Sequence, residues 1–381
     1  MASSPGGKRA LLSNVTLSTV SLLMLLLGLG LTAQARTHRT SSRRHPVRHV
    51  SKRFAASRYS RRLGPEVDPA KDDISEYDDA VLRASAIEAL GHRDGAVLAV
   101  DPNTGRILTA VNQKLVFSSG FIPCSTIKPV IAMAALEEGV INRDSMLKVS
   151  RSHYMNLTEA LAHSNNAFFE SLGSQMGFST VARYAKQLGL GELAGRNILE
   201  EHPGTLPHLP PEHGGVARMS SFGEGIEITP LQLAAVATTL ANGGTLYYLQ
   251  YPRSTQERRD FAPLVKRKLE IASLLPDIRE GMLAAVLYGT AKHSYDPDGE
   301  QILGKTGTCS EQGTRIGWFY SYLNAQHPRL VVVVLLRGYR HRVSGPAASE
   351  IAGRIYHRLR EQNFFSGAVT PVLHPEIASA R

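Results

Sequence analysis

The chain has 381 residues, 43% hydrophobic and 20% charged, which is a globular composition with length for one large domain or two modest ones. The net charge of +10 is unevenly placed: twelve Lys and Arg lie within the first 62 residues and no acidic residue precedes Glu66, leaving −2 for the rest. Basicity therefore belongs to a leader and an arm, and charge gives no support to nucleic-acid binding by the folded body.

Residues 1–35 read as an export element. Lys8 and Arg9 precede the run LSTVSLLMLLLGLGL, and Ala33-Gln34-Ala35 follows as a small-x-small site of the signal-peptidase type. The strongly apolar part, Val20 to Leu31, is short against the ~20 residues of a membrane span, so a cleaved signal peptide and an uncleaved anchor both stay open. Either places the body outside the cytoplasm, in the cell envelope. Against that orientation stand Arg36, Arg39, Arg43, Arg44 and Arg48, because positive flanks of apolar segments tend to stay cytoplasmic. Residues 36–76 are expected to form a basic, disordered linker, either a solvated run or an electrostatic tether to anionic lipid or wall polymer.

The catalytic body is expected over residues 77–365, with a tail at 366–381. DAVLRASAIEALGHRDG has helical spacing and ends near Gly91. GAVLAVDPNTGRILTAVN alternates as strands do, around a turn at Asp101 to Gly105. Helical patterns dominate from Ser125 to about Ala241, broken by EEHPGTLPHLPPEHGG. Strand signals return in QILGKTGT, TRIGWFYSYL and RLVVVVLLRG, and ASEIAGRIYHRLREQ closes the pattern as a helix. Strands at both ends with helices between them predict an α+β fold. Its antiparallel sheet is built from both ends of the body and flanked by helices, with an inserted all-helical lobe.

Three short stretches carry chemistry. In IPCSTIKPV, Ser125 and Lys128 are three residues apart, on one face of a helix start. A serine hydroxyl is a poor nucleophile until a base takes its proton, and an amine serves once burial and neighbours lower its pKa. HSNNAFFE supplies Ser164-Asn165-Asn166, and LGKTGTCS supplies Lys305-Thr306-Gly307-Thr308 on a strand. Singly, each has a bland reading: an N-cap with a surface lysine, a turn, a strand-edge lysine. Jointly, Ser-x-x-Lys, Ser-x-Asn and Lys-Thr-Gly in this order form a specific set.

With that set the chain resembles the penicillin-binding transpeptidases, serine D,D-peptidases that share a fold with the serine β-lactamases. The likeness runs from about residue 77 to 360. It includes PCSTIKPVIAMAALEEG, LTEALAHSNNAFFESLGSQMG, SFGEGIEITPLQLAAVATTLANGG and VLYGTA. The resemblance implies that Ser125 forms an acyl-enzyme with D-Ala-D-Ala stem peptides of peptidoglycan, with β-lactams as inhibitors. It gives Lys128 the role of base and Ser164 that of relay to the leaving amine. Asn166 is expected to bind a substrate amide, and Lys305, Thr306 and Thr308 the terminal carboxylate. Gly307 admits the substrate to the strand, and the amides of Ser125 and Thr308 form the oxyanion hole. No metal or other cofactor is implied.

The two cysteines, Cys124 and Cys309, adjoin the nucleophile and Thr308. Some carbapenem-hydrolysing β-lactamases carry a disulfide at the corresponding positions, so the resemblance implies a bridge here, against two free buried thiols. Trp318 reads as a core strand residue and His163 as a loop histidine. The first functional expectation is cell-wall cross-linking, with D,D-carboxypeptidase activity open because water can replace the acceptor amine. A serine β-lactamase needs a base for its deacylating water. Glu200 and Glu201 are the nearest candidates, yet they lack the Glu-x-x-x-Asn pattern of class A enzymes. A β-lactam-sensing receptor is the remaining alternative. No large module precedes the catalytic part, so a glycan polymerase is expected to be a separate partner.

Overall fold

The computed structural model describes residues 68–339 and 342–365; the export element, the arm as far as residue 67 and the tail from residue 366 lie outside them. In chain order the helices are α1 (Ala80–Leu90), α2 (Gln113–Phe117), α3 (Lys128–Glu137), α4 (Leu157–Ala162), α5 (Asn166–Gln187), α6 (Gly215–Phe222), α7 (Pro230–Asn242), α8 (Thr255–Arg259), α9 (Leu275–Leu287) and α10 (Gly345–Glu361). The strands are β1 (Gly95–Val100), β2 (Ile107–Val111), β3 (Leu147–Lys148), β4 (Tyr154–Met155), β5 (Gly195–Arg196), β6 (Thr245–Gln250), β7 (Leu264–Lys268), β8 (Ile302–Glu311), β9 (Thr314–Leu323) and β10 (Val331–Gly338).

Five strands form the central antiparallel sheet in the order β2-β1-β10-β9-β8. β10 is central and reads VVVVLL because both of its faces are covered. Val331, Val333 and Leu335 enter one core, and Val332, Val334 and Leu336 enter the other. The second core is closed by α1 and α10, whose buried Ala348, Ile351, Ala352, Ile355, Tyr356 and Leu359 follow the helical period. The first core is closed by α3, α5 and α7, which belong to the long insertion between β2 and β8. This matches the expected α+β architecture. The insertion is not purely helical: it also holds the β3–β4 pair and a second sheet, β5-β6-β7, with a parallel β5–β6 step.

The fold uses residues that a boundary at Tyr77 leaves out. Asp73 accepts from the amides of Asn112 (2.9 Å) and Gln113 (2.8 Å), and its carboxylate pairs with Arg83 at 3.0 Å. Gln113 in turn donates to Ile74 O at 2.6 Å. These bonds join distant segments, so no local periodicity announces them. Among the described residues no helix is long and apolar enough to cross a membrane.

Candidate active site

Pro123 leads into a 3-10 turn, Cys124–Ile127, which runs directly into α3 with Pro129 in its first turn. Ser125 thus lies one turn ahead of Lys128, on the tighter 3-10 winding rather than in the α-helix itself. Thr126 stiffens the turn, its hydroxyl donating to Pro123 O at 2.6 Å. Ser125 is 8% exposed and Lys128 is fully buried. Cys124 and Ser164 both adopt left-handed backbone, φ +52° and +55°, which costs free energy at non-glycine residues and marks positions fixed by their surroundings.

Ser164 closes the link between α4 and α5. Asn165 caps α5 by accepting from Phe168 N at 2.9 Å, so the middle residue of the motif is structural. Lys128 Nζ donates to Ser164 O (2.7 Å), Ser164 Oγ (3.1 Å) and Asn166 Oδ1 (2.7 Å). Lys305, also fully buried, reaches the same hydroxyl from β8, at 2.9 Å, and donates to Thr306 O at 3.0 Å. The Ser164 hydroxyl therefore stands between two amines. Burial pushes Lys128 far below the usual lysine range, and the nearby Lys305 charge pushes it further against a weaker pull from Glu170. Burial alone brings Lys305 down to about 7. In the ammonium form all three Nζ protons are engaged in this arrangement; in the neutral form Nζ donates to Ser164 O and Asn166 Oδ1 and accepts from the Ser164 hydroxyl. The Ser125 hydroxyl is not among its partners, a separation that catalytic contacts often show before substrate binds.

β8 is the edge strand of the sheet, and its inner face lies against the nucleophile turn. A Cβ on Gly307 would fall 3.0 Å from Thr126 Cγ2, 3.1 Å from Pro123 O and 3.3 Å from Cys124 Cβ. The partner that this glycine admits is the nucleophile turn itself. One residue pair further, Cys309 and Cys124 bring their sulfurs to bonding distance, with Cα atoms 5.7 Å apart. Trp318 sits opposite Gly307 in the β8–β9 register, fully buried as expected of a core strand residue. Its indole N–H donates to Ile122 O at 3.0 Å, a bond that sequence reading did not anticipate.

Thr306 and Thr308 point to the other face of β8. The Thr308 hydroxyl accepts from Gly345 N at 2.7 Å, and the Thr306 hydroxyl pairs with that of Thr290 at 2.6 Å. Thr290, in the VLYGTA stretch, had no role assigned; its only signal in the sequence is a Gly-Thr step after a helix. His163 keeps to the rim, 3.3 Å from Glu159 and packed on Tyr288. Glu201 accepts from Ala194 N (2.6 Å) and Gly195 N (2.8 Å), and Glu200 pairs with Arg253. Glu201 thus holds the turn that precedes it, and Glu200 ties that loop to the segment after β6. Six of the eight predicted site residues lie along one seam where the 3-10 turn, the α4–α5 link and β8 meet, while Thr306 and Thr308 stand on β8 with their hydroxyls on its other face.

Residues 95–357 match the family model described as penicillin binding protein transpeptidase domain. Stage V sporulation protein D of Bacillus subtilis is 26% identical over 321 residues, covering 70% of this chain and 49% of that protein. Peptidoglycan D,D-transpeptidase FtsI of Escherichia coli is 25% identical over 319 residues, covering 72% and 53%. The chain spans about half the length of these relatives. Among solved structures, the TP domain of Burkholderia pseudomallei penicillin-binding protein 3 shares the fold with a TM-score of 0.64 at 19% identity, over 75% of this chain and 96% of that one. The D,D-transpeptidase domain of a peptidoglycan glycosyltransferase from Eggerthella lenta does so with 0.59 at 20%, over 75% and 82%.

Proposed function

Because the chain belongs to the penicillin-binding protein transpeptidase family, we propose that it is a serine D,D-transpeptidase that cross-links peptidoglycan outside the cytoplasm. The observation that carries this reading is the Ser164 hydroxyl held between two buried amines, one of them a single turn from Ser125. Two ammonium groups cannot share one hydroxyl cheaply in a dry site, so one amine is neutral and able to take a proton. Lys128 is that amine. It removes the Ser125 proton as Oγ attacks the penultimate D-Ala carbonyl, and the amides of Ser125 and Thr308 receive the oxyanion. Ser164 then passes a proton to the leaving D-Ala amine, drawing on the lysine on either side. Lys305, Thr306 and Thr308 bind the terminal carboxylate, while Asn166, freed from Lys128 as the amine turns to Ser125, accepts or donates to a stem-peptide amide. A second stem peptide's amine then takes the acyl group from Ser125.

The occupied carboxylates of Glu200 and Glu201 argue against a β-lactamase, which needs a free base over the acyl-enzyme. Penicillin labelling with a chase tests the assignment. The wild type should hold a fluorescent penicillin for hours and Ser125→Ala should not label. Loss of label within seconds indicates a β-lactamase instead, and release of D-Ala to water rather than to an amine indicates a carboxypeptidase. The Cys124–Cys309 bridge is part of the same reading, as a fastener between nucleophile turn and substrate strand. Titration of unreduced, denatured protein should find no thiol, and finding two removes the bridge. An N-terminal membrane anchor or signal, and a separate glycan polymerase as partner, complete the proposal.

A further inference from the structure

Thr290 belongs to none of the three motifs, yet two of them meet on it. It follows α9 in the turn Tyr288-Gly289-Thr290. Its amide donates to Ala162 O at 3.0 Å, two residues before Ser164, and its hydroxyl stands 2.6 Å from that of Thr306, beside Lys305. The close approach depends on Gly289, where a Cβ would fall 2.2 Å from Ala162 O and 2.8 Å from Ala285 Cα. The link to the Ser164 loop is thus made by backbone, and a change of the Thr290 side chain leaves it intact.

Two hydroxyls at this distance place one proton between them, so one donates and the other accepts. Thr306 lies on the edge strand, whose outer flank has no strand neighbour among the described residues. An ionised carboxylate on that flank only accepts, so Thr306 serves it by donating and its oxygen is left to accept from Thr290. Thr308 has the same arrangement: Gly345 N can only donate, so the Thr308 oxygen accepts from behind and its proton is free to face forward. We propose that Thr290 is a positioning residue that polarises the Thr306 hydroxyl as a donor toward the terminal carboxylate of the substrate. It acts through Thr306 and does not itself touch substrate. The inference rests on the transpeptidase reading and extends it by a residue outside the motifs.

The test compares acylation of the full chain by benzylpenicillin, which carries the carboxylate, with acylation by benzylpenicillin methyl ester, which does not. Thr290→Val should slow the acid about tenfold and the ester less than about twofold, one hydrogen bond to a charged group being at stake. Thr290→Ser should restore the acid rate. Should the valine variant not fold, Thr290→Ala is read by the same criterion. An equal loss on both probes, or no loss on the acid, overturns the assignment of Thr290 and leaves the transpeptidase reading in place. A wild type that neither probe acylates removes both.

Discussion

Two clusters of buried charge sit in this fold, and they are built on opposite plans. At the start of the domain, Arg83 is flanked by Asp73 at 3.0 Å and Asp78 at 2.9 Å, and Asp78 is further held by Thr109 and Tyr251. Burial works against the Arg83 charge, but the two carboxylates outweigh it and lift its pKa above the usual value. In the seam, Lys128 and Lys305 are buried more completely, and among the described residues neither forms an ion pair. Their pKa values fall instead. A compensated cluster maintains a fold, whereas uncompensated amines lower stability and persist where chemistry requires a neutral base.

That contrast can be broken most directly at Lys128. Lys128→Met should cut penicillin acylation by at least ~1,000-fold, since nucleophile and base act as a unit. Its thermal midpoint should hold or rise, because no opposite charge is left stranded and the acceptors on half-buried Ser164 and Asn166 can turn to water. A collapse in the melting curve would place Lys128 in the same class as Arg83. The converse change, Asp78→Ala, should cost about 3 kcal/mol in denaturant unfolding by leaving Arg83 with Asp73 alone and depriving the Thr109 and Tyr251 hydroxyls of their acceptor. Acylation per folded molecule should stay as in the wild type.

The pH dependence of stability sharpens the comparison further. Lys305 titrates at about 7 in the folded state and near the free-lysine value of ~10.4 when unfolded. Between those values the unfolded chain binds the extra proton, so unfolding free energy should increase with pH across that window. Below it both states are protonated and this contribution is flat. Lys128, depressed as well, adds to the same rise, so Lys305→Met should make the slope shallower without abolishing it, and an unchanged slope in urea titrations at several pH values would refute the attribution. The smallest effect is expected at Trp318→Phe, about 1 kcal/mol for the lost bond to Ile122 O, with some slowing of acylation.

Much of the architecture was legible because it is periodic. α1 ends at its Gly91 cap, β1 and β2 flank the Asp101–Gly105 turn, β10 is the valine run, and α10 follows its apolar stripe. The site was legible for a different reason, since each motif places its reactive residues within four positions. What escaped were bonds between segments far apart in sequence: Asp73 to Gln113, Trp318 to Ile122, Thr290 to Thr306 and Ala162. The short strands β3 to β5, two residues each, leave no periodic trace, and they with β6 and β7 went unread as sheets. Ser125 was placed at a helix start; the 3-10 winding of its turn depends on Pro123 and Cys124 geometry that spacing does not encode.

The tight seating of Gly307 on the Pro123–Thr126 turn has a mechanical consequence. Under the proposed function, the turn beneath an incoming acyl group and the β8 wall beside it are joined by this packing and by the Trp318 bond to Ile122 O. On the same reading, larger substituents on a donor peptide or an antibiotic meet the opposite bank, where Lys128 and Lys305 hold the α4–α5 link through Ser164 and Asn166, and the Thr290 amide holds it through Ala162 O. Breadth of substrate acceptance under that function would then depend more on that bank than on the β8 side.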